Sequence, residues 1–493
     1  MRDFLEEAKK MISIPSVSPD GNEELANWLV DRMRLAGLKT QFQPVTHSLE
    51  NVSKRQFNVI GILGDPLVNH KIKRGLLLNT HIDTVGPGLL SNWTECDGNP
   101  FHAVIKGDRL YGLGSADVKL DFLCKLRAIE KFRDKKLKHP IYLVGTCGEE
   151  IGMFGAKYLI QSKALNPKFV LVGEPSDLSV VYAHKSLNIF KATIGFQMVA
   201  KDARGFNRRI VIESFGKSAH GSYPHLGVNA IHQLMDLIRD SIEQGYEMKF
   251  VRFEGGETVN KVPDRASAEF YLTAHQFEDY KRFFRDLVSQ TGMDKSFRLE
   301  AGGGDDVGIR FIPDSVFECA ARVSDYFRKI SIQFAKIVDP TFNPAHSTVN
   351  FGQMKQTING LEMFLDLRIL PDQSAEEIEK EVLKEIRTIA SDYPTLNVTA
   401  AKQRGNAALG MTLDHELVKI CKDAMLAAGL PVKLDKKATS TEAALYFKAG
   451  YEAIIFGPGL SVGNSHSPNE FQLLDHLDSA TAFYEKVIER VCL

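Results

Sequence analysis

Short apolar runs that end in polar residues recur along this chain. They lie at 76–80 (LLLNT), 141–147 (IYLVGTC), 169–175 (FVLVGEP) and 453–459 (AIIFGPG). Apolar runs of this length are typical of strands that are buried on both faces of a parallel sheet. Helical patterns lie at about 117–133 and 152–162, and an amphipathic helix is predicted within 20–37. Strands that alternate with helices predict a largely parallel α/β sheet.

The middle of the chain, from about 186 to 397, has a different pattern. Helix-like segments alternate there with half-polar strands such as RASAEFYLTAHQ and GLEMFLDLRIL. This pattern predicts an α+β domain with antiparallel strands and helices on one face. Each half contains a helix, a TVN stretch, a strand and a helix, which suggests an internal duplication. We therefore predict an α/β domain formed by 1–185 and 398–493, with an α+β domain inserted at 186–397.

Composition narrows the range of partners. The chain has 493 residues with a formal net charge of -1, so it has no electrostatic footprint for nucleic acid. No apolar run is long enough to cross a bilayer, and the N-terminal stretch lacks the apolar core of a signal peptide. Six scattered cysteines without a CxxC motif fit a reducing compartment. We expect a cytoplasmic protein that binds neither nucleic acid nor a membrane.

Acids and histidines collect at the ends of the predicted strands. The carboxyl ends of parallel strands form the ligand sites of open α/β sheets. A lone His-x-Asp is more often an ordinary loop, but a whole cluster of buried carboxylates needs a compensating cation. Imidazoles and carboxylates without cysteine suit zinc, cobalt or manganese. The residues concerned are His81, Asp83, Asp117, Glu149, Glu150, Glu174 and His466.

The adjacent acids Glu149 and Glu150 indicate two separate roles. Consecutive side chains point in different directions, so one can bind a metal while the other acts as a general base. Five ligands that share one carboxylate can hold two ions about 3.5–4 Å apart.

Motifs along almost the whole length carry a family resemblance. They are, in order, SIPSVS, THIDTV, GDRLYGLGSADVK, GTCGEEIG, GEPS, GKSAHGSYPHLGVNAI, DLR and SHSPNEF. With them the chain resembles the di-zinc aminoacylase and peptidase family that contains acetylornithine deacetylase, succinyl-diaminopimelate desuccinylase, carboxypeptidase G and certain dipeptidases. The resemblance implies an α/β catalytic domain with two Zn²⁺ ions, for which Co²⁺ or Mn²⁺ are alternatives, and an inserted lid or dimerisation domain.

The same resemblance implies roles for the clustered residues. His81, Asp117 and Glu174 would hold one zinc ion, and Asp117, Glu150 and His466 the other. Asp117 would bridge the two ions. Glu149 would be the general base and later the acid, and Asp83 would hydrogen-bond His81 and fix its orientation.

Candidates in the inserted domain also follow from the resemblance. His220 would stabilise the tetrahedral oxyanion, which in dimeric members happens in the neighbouring subunit's site. Arg368 would bind a substrate carboxylate, and Asn260 is a weaker candidate of the same kind. Taken alone, such a His is more often a loop or core residue and such an Arg is usually just exposed. The long insertion resembles the enlarged lid of monomeric dipeptidases, so a monomer is favoured and a homodimer stays open.

The expected activity is cleavage of the amide bond of a small N-acyl amino acid. Thr441-Glu442-Ala443 looks like the acetylornithine deacetylase version of this stretch, although Ser/Thr–Glu pairs are also common helix caps. A dipeptidase is the alternative within the class. A non-catalytic binding protein on the same fold is disfavoured, because every ligand and Glu149 are present. Leu120 and Asp121 stand where the family usually has two glycines, which is a departure.

Overall fold

The computed structural model describes residues 2–46, 55–65, 74–200, 205–303 and 309–493. The chain forms two compact units. The α/β unit comprises Met1–His184 and Leu409–Leu493, and the inserted unit comprises Lys185–Ala408. The inserted unit extends beyond the predicted limit at 397, because the strand Asn397–Asn406 pairs with the sheet of that unit.

The first segment of the α/β unit supplies most of its sheet. Besides short 3₁₀ turns, its elements are α1 (Arg2–Ser13), α2 (Glu23–Leu35), β1 (Lys39–Val45), β2 (Gln56–Leu63), β3 (Leu76–His81), β4 (Val104–Lys106), β5 (Arg109–Tyr111), α3 (Lys119–Glu130), β6 (Ile141–Thr146), α4 (Phe154–Ser162), β7 (Phe169–Gly173) and β8 (Val180–His184).

The inserted unit follows in the chain. Its elements are β9 (Leu187–Gly195), β10 (Val199–Ala200), β11 (Phe206–Phe215), α5 (Ala230–Glu243), β12 (Lys249–Gly255), β13 (Arg265–Thr273), α6 (Ala274–Gln290), β14 (Phe297–Gly303), β15 (Arg310–Phe311), α7 (Asp314–Phe334), β16 (Thr348–Thr357), β17 (Gly360–Arg368), α8 (Ala375–Ser391) and β18 (Asn397–Asn406).

The chain then returns to the α/β unit. The last elements are β19 (Leu409–Gly410), α9 (Glu416–Ala427), β20 (Leu434–Lys437), α10 (Ala443–Lys448), β21 (Glu452–Ile455), β22 (Phe471–Leu473) and α11 (Leu474–Cys492). No helix in the described ranges combines the length and the apolar character that crossing a bilayer requires.

The sheet of the α/β unit confirms the predicted fold class. Its order is β1-β2-β6-β3-β7-β21-β8-β19, with β20 beside β8. The central strands β6, β3, β7 and β21 run parallel, and antiparallel pairs flank them. Every residue of β3, β6 and β7 is buried, as their continuous apolar runs predicted. The carboxyl ends of these strands therefore meet at one edge of the sheet.

The inserted unit repeats one topology twice. Its antiparallel sheet has the order β14-β11-β13-β12-β16-β17-β9-β18. One half runs β11-α5-β12-β13-α6-β14 and the other β9-α7-β16-β17-α8-β18, with the same strand pairings in each. The halves join through β12 and β16. The predicted duplication is thus confirmed in topology, but the TVN stretches are not equivalent: one follows β12 and the other begins β16.

Helix α5 shows how the sequence fixes a helix of the inserted unit. The side chain of Asn229 caps its N-terminus by accepting two main-chain N–H groups. Apolar residues at the spacing i, i+3, i+4 and i+7 then form one buried face, which joins the core of this unit. These residues are Ile231, Leu234, Met235 and Ile238.

Candidate metal centre

The polar residues predicted at the strand ends come together in the α/β unit. His81 ends β3, Asp117 precedes α3, and Glu174 follows β7 directly. The potential ligand atoms of these three residues lie within 4.8 Å of one another. A second group with the same spacing contains Asp117, Glu150 and His466. The two groups have the composition that the family resemblance implies for two metal positions, with Asp117 common to both.

The carboxylate of Asp117 lies between two imidazoles. Its Oδ1 is 3.2 Å from Nε2 of His81, and its Oδ2 is 3.3 Å from Nε2 of His466. Nε2 of His466 is also 3.2 Å from Oε1 of Glu150. Because each oxygen of Asp117 faces a different ring, this carboxylate has the arrangement of a bridge between two positions.

The histidines are held in a strongly negative environment. Burial lowers the pKa of His81, but its hydrogen bond to Asp117 and the charge of Glu149 outweigh burial and raise the pKa well above 6.5. Hydrogen bonds to the carboxylates of Asp117 and Glu150 raise the pKa of His466 to about 11. The carboxylates around both rings therefore favour positive charge at this site.

The pKa values of the carboxylates at this site are shifted as well. Burial raises the pKa of Glu174 to about 8. Burial and the neighbouring Glu150 raise the pKa of Glu149 well above its usual value. Burial also acts to raise the pKa of Asp117, but hydrogen bonds from His466 and His81 hold it well below 3.8. Crowded, desolvated carboxylates of this kind are stabilised as anions by a bound cation.

The carboxylate of Glu174 indicates whether these residues fit a metal ion. Within the part of the chain that the structure describes, its Oε1 is buried and accepts no hydrogen bond. A buried carboxylate oxygen without a donor is costly unless something else satisfies it. The donor set of imidazole nitrogens and carboxylate oxygens suits zinc, cobalt or manganese. The residues present therefore fit metal ions at both positions.

Asp83 contacts His81 through its main chain and the Glu149–Glu150 turn through its side chain. Nδ1 of His81 lies 3.1 Å from the main-chain carbonyl of Asp83 and 3.8 Å from its carboxylate. The carboxylate instead accepts the main-chain N–H groups of Glu149 and Glu150 at 3.1 and 3.3 Å, and the hydroxyl of Ser18 at 2.5 Å. Asp83 thus hydrogen-bonds His81 through its main-chain carbonyl, which orients the ring, while its carboxylate fixes the Glu149–Glu150 turn.

Glu470 is a residue that the sequence reasoning missed. Its Oε1 accepts the N–H groups of Ala116 and Asp117 at 2.8 and 2.9 Å, and its Oε2 that of Gly114 at 3.2 Å. The carboxylate thus holds the loop that presents Asp117. It lies four residues after His466, in the quoted SHSPNEF motif, so the only sequence signal was its place in that motif.

Glu442 is fully buried below the strand ends. Its Oε2 accepts hydrogen bonds from Asn79 Nδ2 at 2.7 Å and Thr146 Oγ1 at 2.8 Å. Although Glu442 precedes α10, its side chain makes no capping hydrogen bond. Burial raises the pKa of this carboxyl to about 7. The Thr-Glu-Ala stretch therefore contributes a buried polar contact between β3 and β6.

The candidates of the inserted unit lie close to one another within that unit. The N–H of Gly221 donates to the main-chain carbonyl of Asn260 at 2.6 Å. A Cβ placed on Gly221 would be 2.8 Å from Oδ2 of Asp366. The carboxylate of Asp366 binds Arg368 at two points, at 2.8 and 3.0 Å. The loop of His220, the loop of Asn260 and the Asp366–Arg368 pair are thus contiguous.

These candidates differ in exposure. The side chains of His220 and Asn260 are exposed, whereas Arg368 is 5% exposed and Asp366 fully buried. The usual expectation of an exposed strand Arg is therefore wrong for Arg368. Nδ1 of His220 accepts the N–H of Ser222 at 3.1 Å, so the proton of the neutral ring lies on Nε2.

Comparisons with known proteins identify the family of this chain. The sequence model of peptidase family M20/M25/M40 matches residues 77–490. An acetylornithine deacetylase from Proteus mirabilis is 30% identical over 281 residues, which are 52% of this chain and 64% of that protein. The match thus spans less than two thirds of the length of this curated relative.

Solved structures share the fold over nearly the whole chain. An aminoacylhistidine dipeptidase from Vibrio alginolyticus matches with a TM-score of 0.69 and 17% identity, over 99% of this chain and 96% of that one. A metallo-carboxypeptidase of the M20 family from Sulfolobus solfataricus matches with a TM-score of 0.58 and 18% identity, over 99% of each chain. The protein belongs to the peptidase family M20/M25/M40, a metal-dependent family.

Proposed function

We propose that this protein is a di-zinc hydrolase that cleaves the amide bond of a small N-acyl amino acid. The observation that carries the proposal is the position of Asp117, whose two carboxylate oxygens face His81 and His466 separately. His81, Asp117 and Glu174 would hold one ion, and Asp117, Glu150 and His466 the other. Bound zinc supplies Lewis acidity, which polarises the scissile carbonyl and makes water more acidic.

Glu149 is the proposed general base. Its main-chain N–H donates to Asp83, and burial together with Glu150 raises the pKa of its carboxyl well above the usual value. A carboxylate of raised pKa is a stronger base and can later return the proton as an acid. Glu149 therefore takes the proton of the attacking water and gives it to the leaving amine.

The inserted unit supplies the remaining proposed roles. His220 would donate the Nε2–H of its neutral ring to the developing oxyanion, since its Nδ1 accepts the N–H of Ser222. Arg368 would bind the substrate carboxylate while Asp366 holds two of its nitrogen atoms. Asn260 is a further substrate contact. We propose that one chain completes its own site as a monomer, with dimerisation as the alternative.

The substrate class is argued from the relatives. An acetylornithine deacetylase is 30% identical to this chain, and the Thr-Glu-Ala stretch at 441–443 favours the same substrate class. The second candidate function is a dipeptidase, because the fold of the Vibrio alginolyticus dipeptidase matches the chain over 99% of its length, including the duplicated inserted unit. The six cysteines, all in described ranges, are buried and free, which supports a reducing compartment such as the cytoplasm.

A substrate screen tests this proposal. Zinc-loaded protein is incubated with N-acetylornithine and other N-acetyl amino acids, with N-succinyl-diaminopimelate and with dipeptides, and release of free amine is measured. We expect the highest kcat/KM with an N-acetyl amino acid. Preference for a dipeptide would favour the second candidate. Hydrolysis of none of them by protein that holds two zinc ions would contradict both and favour a binding protein.

Subunit exchange tests which chain supplies His220. Glu149→Gln and His220→Ala are each expected to be inactive. If one chain completes its own site, mixing the two variants under exchange conditions restores no activity, because no hybrid contains an intact site. Recovered activity would show that His220 acts across a dimer.

A further inference from the structure

A buried ion pair lies on α3, a few residues after Asp117. Asp121 and Lys125 lie one turn apart on α3, with Lys125 Nζ 2.6 Å from Asp121 Oδ2. Both side chains are fully buried. Removing two charges from water is costly, so a pair of this kind persists only when its remaining hydrogen-bonding capacity is filled.

Every donor and acceptor in this pair has a partner. Lys125 Nζ also donates to the main-chain carbonyl of Asn79 at 2.6 Å and to Thr80 Oγ1 at 2.8 Å, which uses all three of its hydrogens. Asp121 accepts the hydroxyl of Thr80 on Oδ2 at 2.8 Å and that of Tyr484 on Oδ1 at 2.6 Å. The pair is therefore a rigid, satisfied network.

The contacts of the pair lie beside the ligands of one proposed metal position. Thr80 precedes His81, and Asp121 lies four residues after Asp117. A Cβ on Gly173, the residue before Glu174, would be 2.0 Å from Asp121 Oδ2 and 2.7 Å from Lys125 Nζ. The pair thus packs directly against the backbone of β7 at the point where it delivers Glu174. His466 and Glu150 are delivered by other segments.

We propose that the Asp121–Lys125 pair is a positioning pair for the metal position formed by His81, Asp117 and Glu174. It fixes the spacing between β3, β7 and the start of α3, so the three ligands meet at the distance that one ion requires. This inference rests on the proposed function, because it needs an ion at that position. Loss of such supporting contacts weakens metal binding by about 10–100-fold in other sites.

A paired substitution tests the inference. Lys125→Met or Asp121→Asn alone leaves a buried group unmatched, so each is expected to unfold at a lower temperature than the parent. The double variant Asp121→Asn/Lys125→Met removes both charges with little change in volume and should regain much of that loss. Metal-free protein is titrated with Zn²⁺ against a chelator, and with Co²⁺ while its absorption spectrum is recorded.

We expect the double variant to keep one position at parental affinity and to bind the other ion about 10–100-fold more weakly. The Co²⁺ spectrum of the weak position should change as well. The control is Lys191→Met/Glu362→Gln, which removes a half-buried ion pair of the inserted unit and should leave both affinities unchanged. Parental affinity at both positions in the folded double variant would overturn the inference.

A second variant covers the case in which the double variant does not fold. Tyr484→Phe deletes one hydrogen bond to Asp121 without changing charge and should weaken the same position by a few-fold; unchanged affinity there would overturn the inference. Metal titration of the parent protein distinguishes a failure of the proposed metal centre from a failure of the positioning pair. A parent that binds fewer than two ions contradicts the proposed metal centre and the pair together, whereas a normal parent with an unaffected variant contradicts the pair alone.

Discussion

The two proposed metal positions share Asp117 but differ in how their other ligands are held. The side chain of His81 is 2% exposed, and its ring is fixed by a main-chain carbonyl at the end of a buried strand. The side chain of His466 is 53% exposed and comes from the loop between β21 and β22, at a positive φ of 57°. The first position is thus built into the sheet, and the second is closed by a loop.

This difference predicts unequal metal positions. Rigid ligands lose little conformational freedom when an ion binds, whereas a loop must be ordered. The buried position should therefore bind its ion more tightly, and the loop position should exchange it more readily.

Asp117→Ala should remove the difference between the two metal positions, because it should empty both. One carboxylate serves both positions, so its loss leaves each position with only two protein ligands. We expect metal content to fall from two equivalents to less than one, with hydrolysis reduced to background. Elemental analysis of the purified, folded variant decides this. Two equivalents bound at parental affinity would show that Asp117 is not the bridge.

Glu149→Gln should leave both positions intact and stop the proton transfer. General acid–base groups typically contribute about 10²–10⁴-fold, so kcat should fall by that factor while metal content stays at two equivalents. Steady-state kinetics and metal analysis of the same preparation are needed. Near-normal turnover, or loss of both ions, contradicts the assignment of Glu149 as the base.

His81→Ala and His466→Ala should separate the two positions. Each substitution removes one imidazole, so each variant should retain one ion. The ion that remains in His466→Ala should resist a chelator better than the one in His81→Ala, because the buried position stays complete. Chelator-competition titrations measure both affinities. Equal affinities in the two variants would show that burial does not distinguish the positions.

The smallest expected effect is the change with pH in the stability of the metal-free protein. Glu174 has a pKa raised by burial to about 8, and hydrogen bonds to Asp117 and Glu150 raise that of His466 to about 11. Groups whose pKa is higher in the folded state stabilise it at low pH, and this stabilisation is lost as pH rises through the folded pKa. The stabilisation from Glu174 is lost between about pH 4.5 and 8, and that from His466 between about pH 6.5 and 11.

The contribution of Glu174 and His466 to the unfolding temperature of the metal-free protein should therefore fall as pH rises from 6.5 to 8. Metal affinity should rise over the same range, because the ligands must lose their protons. Melting curves with and without Zn²⁺, together with the Glu174→Gln variant, check this. An unfolding temperature that depends on pH as steeply in Glu174→Gln as in the parent contradicts the stated pKa direction of Glu174.

The sheet edge and its cluster could be predicted from sequence because both follow local rules. Continuous apolar runs marked β3, β6 and β7 as buried parallel strands, and their polar ends had to meet at one edge. That logic predicted the cluster, whereas the grouping of His81, Asp117 and Glu174 at one position was implied by the family resemblance.

Contacts between segments that are distant in the chain could not be predicted from the sequence in the same way. The carboxylate of Glu470 holds the N–H of Asp117 from 353 residues away, and Glu442 reaches Asn79 from 363 residues away. The partners of Asp83 depend on the path of the loop after β6, which no periodicity encodes. The Asp366–Arg368 pair was accessible in principle, because residues two apart on a strand share a face.

The most direct test of the account is a crystal structure of the zinc-loaded protein with anomalous data at the zinc edge. We expect two peaks about 3.5–4 Å apart on either side of the Asp117 carboxylate. One peak should lie about 2.0–2.1 Å from Nε2 of His81 and the other at that distance from Nε2 of His466. A single peak, or peaks that Asp117 does not bridge, would contradict it.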